Sequence, residues 1–370
     1  MKFLHLADLH LGRRLCDAPL LEDQRHILGE ILEIARREAV DAVLLAGDVY
    51  DKPVPPVEAV ALLDGFLTAL SQLGAAVLLV SGNHDSSERL AFGGRLMDKR
   101  RVYVAPAFDG AAPPVTFSDA YGAVQVFLLP FVKPAHVRRV YPEDTLEDYT
   151  QAVAAVLRRW APDPAARHVL LCHQLVTGGT RSESEYISIG GLDNVDGAVF
   201  DGFDYVALGH LHRPQSVGRE TVRYAGSPLA YSFSEGEQEK SVTVVELLEK
   251  GNVTVRTVPL TPLRPVRSLH GTLEELLNGT SEDYLRITLT QGGTLPHTWA
   301  RLKSRYPNLL KLEYAEVAAS LPSLPGEGEA LLSPLELVEA FYKSRNDAAM
   351  TDAQRALAGK LLEEIWEDTP

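Results

Sequence analysis

The N-terminal part of the chain alternates short apolar runs with segments of helical periodicity. Apolar residues recur with helical spacing between Leu20 and Glu38, whereas the runs at Lys2–Ala7 and Val40–Ala46 are short and mostly apolar. The same order repeats with a helix opened by Pro55-Pro56 and a strand at Ala76–Ser81. Strands separated by such helices pair in parallel, with the helices on the sheet faces. The sequence therefore predicts an α/β domain built on a parallel sheet.

Side chains with metal-binding chemistry follow the predicted strands. They are Asp8 and His10, Asp48, Asn83 with His84 and Asp85, His173, and His210 with His212. The carboxyl ends of parallel strands open on the crevice where α/β sheets bind ligands. Imidazole, carboxylate and amide oxygen, without thiolate, suit Mn, Fe or Zn. Asp48 has two carboxylate oxygens, so it can contact two cations at once.

Each of these motifs alone has an ordinary explanation. A histidine at a strand end is more often a hydrogen-bonded structural residue than a ligand, and Gly82-Asn83-His84-Asp85 can be a plain turn. The two cysteines, Cys16 and Cys172, provide neither a disulfide framework nor a Cys-pair zinc motif. Because ligand-type residues recur at the exits of five predicted strands, we favour a site for two metal ions bridged by Asp48.

The acidic composition argues against nucleic acid as a partner. The formal net charge is −14, and bulk electrostatics of this sign repel phosphate backbones. A nucleic-acid substrate would need bound metals, a partner or local cations, for which Arg13 and Arg14, Lys99-Arg100-Arg101 and Arg138-Arg139 are candidates. No apolar run approaches ~20 residues and no signal-peptide cleavage site follows the N-terminus, so we expect no membrane span and a cytoplasmic location.

The middle of the chain is predicted to add a second sheet. Strand-like runs lie at Val124–Leu129, His168–Cys172, Asp204–Leu208, Thr221–Ala225, Ser241–Leu247 and Val253–Val258, with a helix from about Asp144 to Trp160. Because the late runs follow one another without helices, we expect them to form a second sheet packed on the first. The long polar segment between His173 and Phe203 is either a functional loop or ordinary surface.

The prolines between Pro259 and Pro265 predict a domain boundary. Beyond it, strands at Tyr284–Leu289 and Lys311–Tyr314 flank a helix at Leu295–Tyr306, a pattern typical of a small α+β domain. The Pro- and Gly-rich residues 321–332 are predicted to form a linker.

Two amphipathic helices are predicted in the tail, residues 333–370. Ser333-Pro334-Leu335-Glu336 and Thr351-Asp352-Ala353-Gln354 are helix-capping sequences. The helices either pack back on the body or bind a partner, and their apolar faces favour a partner.

The motifs at the strand ends resemble those of the calcineurin-like metallophosphatase superfamily. The matching stretches are Asp8-Leu9-His10, Gly47-Asp48-Val49-Tyr50-Asp51, Gly82-Asn83-His84-Asp85, His173 and Gly209-His210-Leu211-His212. Gly209 to Gln215, Tyr224-Ala225-Gly226-Ser227-Pro228 and the C-terminal layout resemble the SbcD family of nuclease subunits within it.

This resemblance implies an architecture and partners. It implies a four-layer α/β sandwich of two β-sheets flanked by helices at residues 1–262, and an α+β capping domain at 266–320. It also implies that the helices of residues 333–370 dock on an SbcC-type ATPase, with a homodimer inside a heterotetramer.

The same resemblance implies a reaction and a site. One metal would be held by Asp8, His10, Asp48 and His212, and the other by Asp48, Asn83, His173 and His210. His84 would contact the scissile phosphate. Asp51 stands where archaeal and eukaryotic relatives carry a histidine, and as a catalytic-site residue it would orient His84 or another neighbour. Family members act with Mn²⁺ on DNA as 3′–5′ double-strand exonuclease and single-strand endonuclease in end processing, repair, recombination and replication.

Three other functions fit parts of this pattern. A phosphomonoesterase of the superfamily typically has an arginine where this chain has Lys52, and a glutamate where it has Asp85. A small-molecule phosphodiesterase would not need the second domain and the tail. A non-enzymatic scaffold would have lost ligands that this chain keeps. These differences favour a DNA diesterase.

Overall fold

A computed structural model describes residues 1–110, 113–160, 163–185, 193–290, 297–315, 334–346 and 348–367. The strands are β1 Lys2–Leu6, β2 Arg14–Leu15, β3 Ala18–Pro19, β4 Ala42–Ala46, β5 Ala76–Val80, β6 Val102–Val104, β7 Val115–Asp119, β8 Gly122–Leu129, β9 Arg167–His173, β10 Leu175–Val176, β11 Asn194–Val195, β12 Tyr205–Gly209, β13 Gln215–Val217, β14 Arg219–Tyr224, β15 Ser241–Leu247, β16 Val253–Pro259, β17 Val266–Gly271, β18 Tyr284–Leu289 and β19 Leu309–Tyr314.

The helices complete the element order. They are α1 Leu21–Glu38, α2 Val57–Gln72, α3 Ser87–Leu90, α4 Gly94–Met97, α5 Pro134–Val140, α6 Tyr149–Arg159, α7 Leu273–Leu277 and α8 Thr298–Lys303, followed by tail helices at Pro334–Asn346 and Asp352–Glu367. Among the described helices, none combines the length and the apolar character that a bilayer crossing requires.

Two six-stranded sheets form the body. The first has the order β16-β15-β1-β4-β5-β6 and the second the order β13-β14-β12-β9-β8-β7. Four strands of each sheet run parallel. Antiparallel pairing is confined to the β15 and β16 side of the first sheet and to the edge strands β13 and β7 of the second. Strands β4 and β5 are buried along their whole length, which explains their continuous apolar sequences.

Three apolar clusters bind the layers of the body together. The first covers the outer face of the first sheet with α1 and α2, and the second covers the outer face of the second sheet with α5 and α6. The third fills the space between the sheets, where Phe3 and Leu44 pack in the same cluster as Leu171 and Tyr205. The body is therefore a four-layer sandwich, as predicted.

The late strands are not all placed as the sequence suggested. Strands β15 and β16 join the first sheet, because Leu4 of β1 pairs antiparallel with Val244 of β15. Helix α6 begins at Tyr149 and not near Asp144, because the Asp148 side chain accepts a hydrogen bond from the Gln151 backbone N–H at 2.7 Å.

A small separate sheet follows the sandwich. Strands β17, β18 and β19 pair in parallel, and α7 and α8 cover one face through a cluster that includes Leu285, Ile287 and Leu302. Strand β17 and helix α7 lie inside the predicted capping domain, but neither element was predicted from the sequence. The division into residues 1–262, 266–320 and 333–370 stays a prediction, and the linker at 321–332 lies outside the described residues.

The two tail helices contact each other. Gln354 donates a hydrogen bond to the Tyr342 hydroxyl at 3.0 Å, and Arg355 pairs with Glu339 at 2.5 Å. The predicted cap at Thr351 is confirmed, because the Gln354 side chain accepts from the Thr351 backbone N–H at 2.9 Å.

Candidate metal centre

The ligand-type residues meet at one edge of the sandwich, where strands from both sheets end. Asp8 and His10 follow β1, Asp48 follows β4, Asn83 and His84 follow β5, His173 ends β9, and His210 and His212 follow β12. Backbone hydrogen bonds join these loops, from the Asp8 N–H to the Gly47 carbonyl and from the His10 N–H to the Asp48 carbonyl. The structure thus brings all seven predicted metal ligands together.

Two groups of ligand atoms lie on either side of Asp48. In one, the Nε2 atoms of His10 and His212 are 3.1 Å apart. In the other, Asn83 Oδ1 lies 3.0 Å from His173 Nε2 and 3.0 Å from His210 Nδ1. Asp48 Oδ2 lies 3.6 Å from His10 Nε2 and 3.5 Å from His173 Nε2, so it faces both groups.

The described part of the chain contains three triplets of possible ligand atoms within 4.8 Å of one another. They are Asp8 with His10 and His212, Asp8 with Asp48 and His173, and His10 with Asp48 and His84. Two imidazole nitrogens that face each other with no proton between them repel through their lone pairs. A cation between them removes this repulsion. This donor set fits divalent ions.

The electrostatics of the centre point the same way. Burial lowers the pKa of His10, His173 and His210, that of His210 to about 3, so the imidazoles are neutral, as metal ligands must be. Burial, and then the charge of Asp48, raise the pKa of Asp8 well above its ordinary value. Two buried carboxylates this close need a cation to share before both can ionise.

Several ligands sit on strained backbone. The φ angles are 53° at Asp8, 42° at His10, 46° at Asp48 and 113° at His210, all in a region that non-glycine residues rarely adopt. Each such residue costs on the order of 1–3 kcal/mol, and strain of this kind clusters at functional sites. The strain therefore marks the loops that aim the ligands.

Close approach explains two of the motif glycines. A Cβ at Gly82 would lie 2.1 Å from Asp48 Oδ1, and one at Gly209 would lie 1.7 Å from the Ala46 carbonyl oxygen. Any side chain at either position would push the loops apart. The glycines preceding Asn83 and His210 are thus required by packing.

Asp85 connects the loop after β4 with the loop after β5. Its carboxylate accepts hydrogen bonds from the backbone N–H groups of Val49 at 3.0 Å, Tyr50 at 2.9 Å and Gly82 at 2.9 Å. Burial, followed by the charge of Asp48, raises its pKa to about 7. Asp85 therefore positions the loops that carry Asp48 and Asn83 and does not itself enter the donor groups.

His84 lies beside the centre and is held at two points. Its backbone N–H donates to Asp48 Oδ1 at 2.9 Å, and its Nδ1 lies 3.0 Å from the Asp51 carbonyl oxygen. The ring packs edge-on against His10, with centroids 4.9 Å apart. When Nδ1 donates its proton to the Asp51 carbonyl oxygen, Nε2 is the ring nitrogen of His84 that this bond leaves unused.

Asp51 reaches His84 through its main chain and not through its carboxylate. The Asp51 carboxylate instead pairs with Arg13 at 3.0 Å and lies 3.8 Å from His10 Nδ1. Arg13 also donates to the Ser184 carbonyl oxygen at 3.1 Å and lies over the Tyr231 ring. Arg13 is thus part of the wall of the site, and the Asp51 carboxylate pairs with Arg13 and makes no hydrogen bond to His10 Nδ1.

A cleft of about 340 Å³ opens on the centre and exposes Asn83, His84 and His210. Phe131 and Tyr149 line it, and Lys133 places an exposed cation at its side. Sequence reasoning missed Lys133, because nothing in the local pattern links the segment after β8 to the strand ends.

Other residues that the sequence did not single out lie behind His212. Its Nδ1 lies 2.8 Å from Ser184 Oγ and 3.2 Å from Glu235 Oε1, and its backbone N–H donates to Glu185 at 2.7 Å. Lys240 pairs with Glu235 at 2.6 Å. A sequence signal for these residues was the Gly226-Ser227-Pro228 motif, because the Ser227 hydroxyl accepts a hydrogen bond from Lys240 Nζ at 2.9 Å.

Comparison with known proteins identifies the family. The calcineurin-like phosphoesterase model matches residues 1–214, and a model described as the type 5 capsule protein repressor C-terminal domain matches residues 262–346. The SbcD component of the nuclease SbcCD from Staphylococcus epidermidis is 31% identical over 381 residues, covering 99% of each chain. The chain belongs to the SbcD family of calcineurin-like phosphoesterases.

Membership of the SbcD family confirms the predicted fold class and the reaction class, hydrolysis of phosphodiesters. It does not favour the phosphomonoesterase alternative. A solved dimetal phosphatase from Danio rerio is also similar, at 14% identity and a TM-score of 0.43 over 71% of this chain and 99% of that chain. That likeness is too distant to bear on function.

Proposed function

We propose that the chain is the nuclease component of an SbcCD-type complex and hydrolyses phosphodiester bonds of DNA. The observation that carries this proposal is the placement of Asp48 Oδ2 between two groups of buried donor atoms, 3.6 Å and 3.5 Å from a histidine of each. A carboxylate shared in this way suits two divalent cations, which act together on phosphate esters.

The proposed ligand sets follow the two groups. Asp8, His10, Asp48 and His212 would hold one ion, and Asp48, Asn83, His173 and His210 the other, with Mn²⁺ as the proposed metal. When bound, the ions would lower the pKa of a water molecule and neutralise charge on the phosphate. They would also supply the positive charge that a chain of net charge −14 lacks at this edge.

His84 is proposed to act on the phosphate directly. The Asp51 carbonyl oxygen, 3.0 Å from Nδ1, fixes the ring so that Nε2 is the atom left to hold or deliver a proton. A proton at Nε2 would stabilise charge on a phosphate oxygen or on the leaving oxygen. Lys133, at the side of the cleft, is proposed to contact a neighbouring backbone phosphate.

The proposed partners meet other surfaces. The tail exposes Phe341 and Leu357, at 59% each, and Leu361, and these side chains support docking on an SbcC-type ATPase. On the body, Phe92 and Leu96 are 87% and 76% exposed, which supports a homodimer within a heterotetramer. Action in DNA end processing and repair, 3′–5′ polarity and a cytoplasmic location stay predictions.

One experiment tests the proposed function. Purified protein with Mn²⁺ is incubated with linear duplex DNA, single-stranded DNA, a phosphopeptide and a cyclic nucleotide. We expect nucleotides to be released from DNA and neither small substrate to be turned over. Hydrolysis of the phosphopeptide without cleavage of DNA would contradict the proposal, and a D48N variant controls for contaminating nuclease.

A further inference from the structure

A buried ion pair lies behind His212, on the side away from the other ligands. Glu235, in the 3₁₀ turn Phe233–Glu235, is 0% exposed, and Lys240 is 7% exposed. Burying two charges costs several kcal/mol per ion, so such a pair is weak support for stability by itself. Its contacts show what else it does.

The ring of His212 has one nitrogen on each side. Nε2 faces His10 Nε2 at 3.1 Å, inside the donor group, whereas Nδ1 faces outward. Nδ1 lies 2.8 Å from Ser184 Oγ and 3.2 Å from Glu235 Oε1, and the Ser184 hydroxyl donates to Glu235 Oε1. Both outer neighbours can therefore accept a proton from Nδ1, and this tautomer leaves the Nε2 lone pair directed inward.

Lys240 fixes the carboxylate and the ligand loop together. Its Nζ donates to Glu235 Oε2 at 2.6 Å, to the His212 carbonyl oxygen at 2.9 Å and to Ser227 Oγ at 2.9 Å. The Ser227 backbone N–H also donates to the His212 carbonyl oxygen, at 3.1 Å. One ammonium group thus connects the carboxylate behind the ring with the backbone of the residue that carries the ring.

We propose that Glu235 and Lys240 are positioning residues for His212, selecting its Nδ1–H tautomer and holding Nε2 toward the metal. This inference rests on the proposed function, in which His212 is a ligand. A carboxylate behind a ligating histidine raises the basicity of the ligand and fixes its ring, and losing it costs roughly 10–100-fold in metal affinity. The effect falls on one ion only, because neither residue contacts His173, His210 or Asn83 in the described hydrogen-bond network.

The test is a titration of metal-free protein with Mn²⁺, following free Mn²⁺ by electron paramagnetic resonance. The variants are E235Q and a matched control, E237Q, which removes the same charge from an exposed position two residues away. We expect E235Q to weaken one of two binding steps by roughly 10–100-fold. E237Q should match the parent.

Double variants assign the weakened step. In H173A, the remaining step belongs to the group with His10 and His212, and E235Q should weaken it further. In H10A, the remaining step belongs to the other group, and E235Q should leave it unchanged. Thermal unfolding in chelator is measured in parallel, because a merely structural role would lower the unfolding temperature and weaken both steps equally.

The outcomes separate this inference from the proposed function. Unchanged Mn²⁺ binding in E235Q, or equal weakening of both steps, would overturn the positioning role. If E235Q does not fold, K240Q, which removes the ammonium that holds both the Glu235 carboxylate and the His212 carbonyl oxygen, is judged by the same criterion. A parent that binds two Mn²⁺ ions but leaves DNA intact would overturn the proposed function and not this inference.

Discussion

At the scale of the residue, Asp48 is the side chain on which both donor groups depend. Burial raises the pKa of the Asp48 carboxyl, but the interactions with His173 and His84, among them the hydrogen bond from the His84 backbone N–H, together outweigh burial, so the net shift is downward. The carboxylate is thus ionised in a buried site. A single carboxylate with one oxygen facing both groups links the two proposed ions.

The substitution D48N is expected to weaken the binding of both metal ions together. The amide keeps the shape of the side chain but removes its charge. The loss of Mn²⁺ affinity should therefore exceed the roughly 10–100-fold loss expected when a residue behind a ligand is replaced. Mn²⁺ titration measures it, with H10A and H173A as comparisons that should each weaken one ion first. Loss of only one step in D48N would contradict the shared ligand.

His84 is expected to affect the reaction and not the metals. The substitution H84Q removes the proton exchange at Nε2, and general acid–base groups contribute roughly 10²–10⁴-fold to rate. We expect kcat on DNA to fall within that range while both Mn²⁺ steps stay as in the parent. Full activity with unchanged metal content would remove His84 from the mechanism.

At the scale of the element, the role of the two tail helices is the one that contacts with the body explain least. They contact each other through Gln354 and Tyr342 and expose Phe341 and Leu357. The cap at Thr351 was readable from the sequence, because capping depends on neighbouring residues, whereas the predicted cap at Ser333 lies outside the described residues. What the helices bind is not local, and it stays a proposal.

Deletion of residues 331–370 is expected to abolish binding to the ATPase partner and to leave the unfolding temperature of the body unchanged. Pull-down and calorimetry measure the two effects. A finer comparison sets L357S, which should weaken binding, against L263S, an equally drastic change at an exposed position on the body. Unchanged binding after the deletion would assign the tail another role.

At the scale of the whole molecule, a buried arginine connects the two sheets. Arg167 on β9 donates to the carbonyl oxygens of Leu247 and Leu248 at 3.1 Å and 2.8 Å, and pairs with Asp119 at 2.5 Å. Burial raises the pKa of Asp119, but hydrogen bonds from Arg167, the N-terminal ammonium and the Tyr121 backbone N–H together outweigh burial, and the net shift is downward. The pair therefore stabilises the fold when Asp119 is ionised.

The substitution R167M is expected to destabilise the protein by about 1–3 kcal/mol, because it leaves the carbonyl oxygens of Leu247 and Leu248 without this donor and Asp119 with the N-terminal ammonium as its remaining cation. Urea unfolding measures this, and R36M, at an exposed ion pair, should change stability little. Folding lowers the pKa of Asp119, so its ion pairs contribute fully to stability above the unfolded-state pKa of about 3.9. This contribution is lost as the pH falls from there through the lowered pKa of the folded state. The R167M difference should therefore shrink in acid.

The sequence by itself determined the alternation of strands and helices from β1 to β5, the ligand types and the strand ends that carry them, because periodicity and donor chemistry are local properties. Only the tertiary structure decided that β15 pairs with β1 in the first sheet, since strand pairing depends on contacts between distant residues. The same holds for Glu235 and Lys240, whose surrounding residues are ordinary in sequence. They become neighbours of His212 only when the chain folds, because a buried charge is stable only when it is paired and hydrogen-bonded.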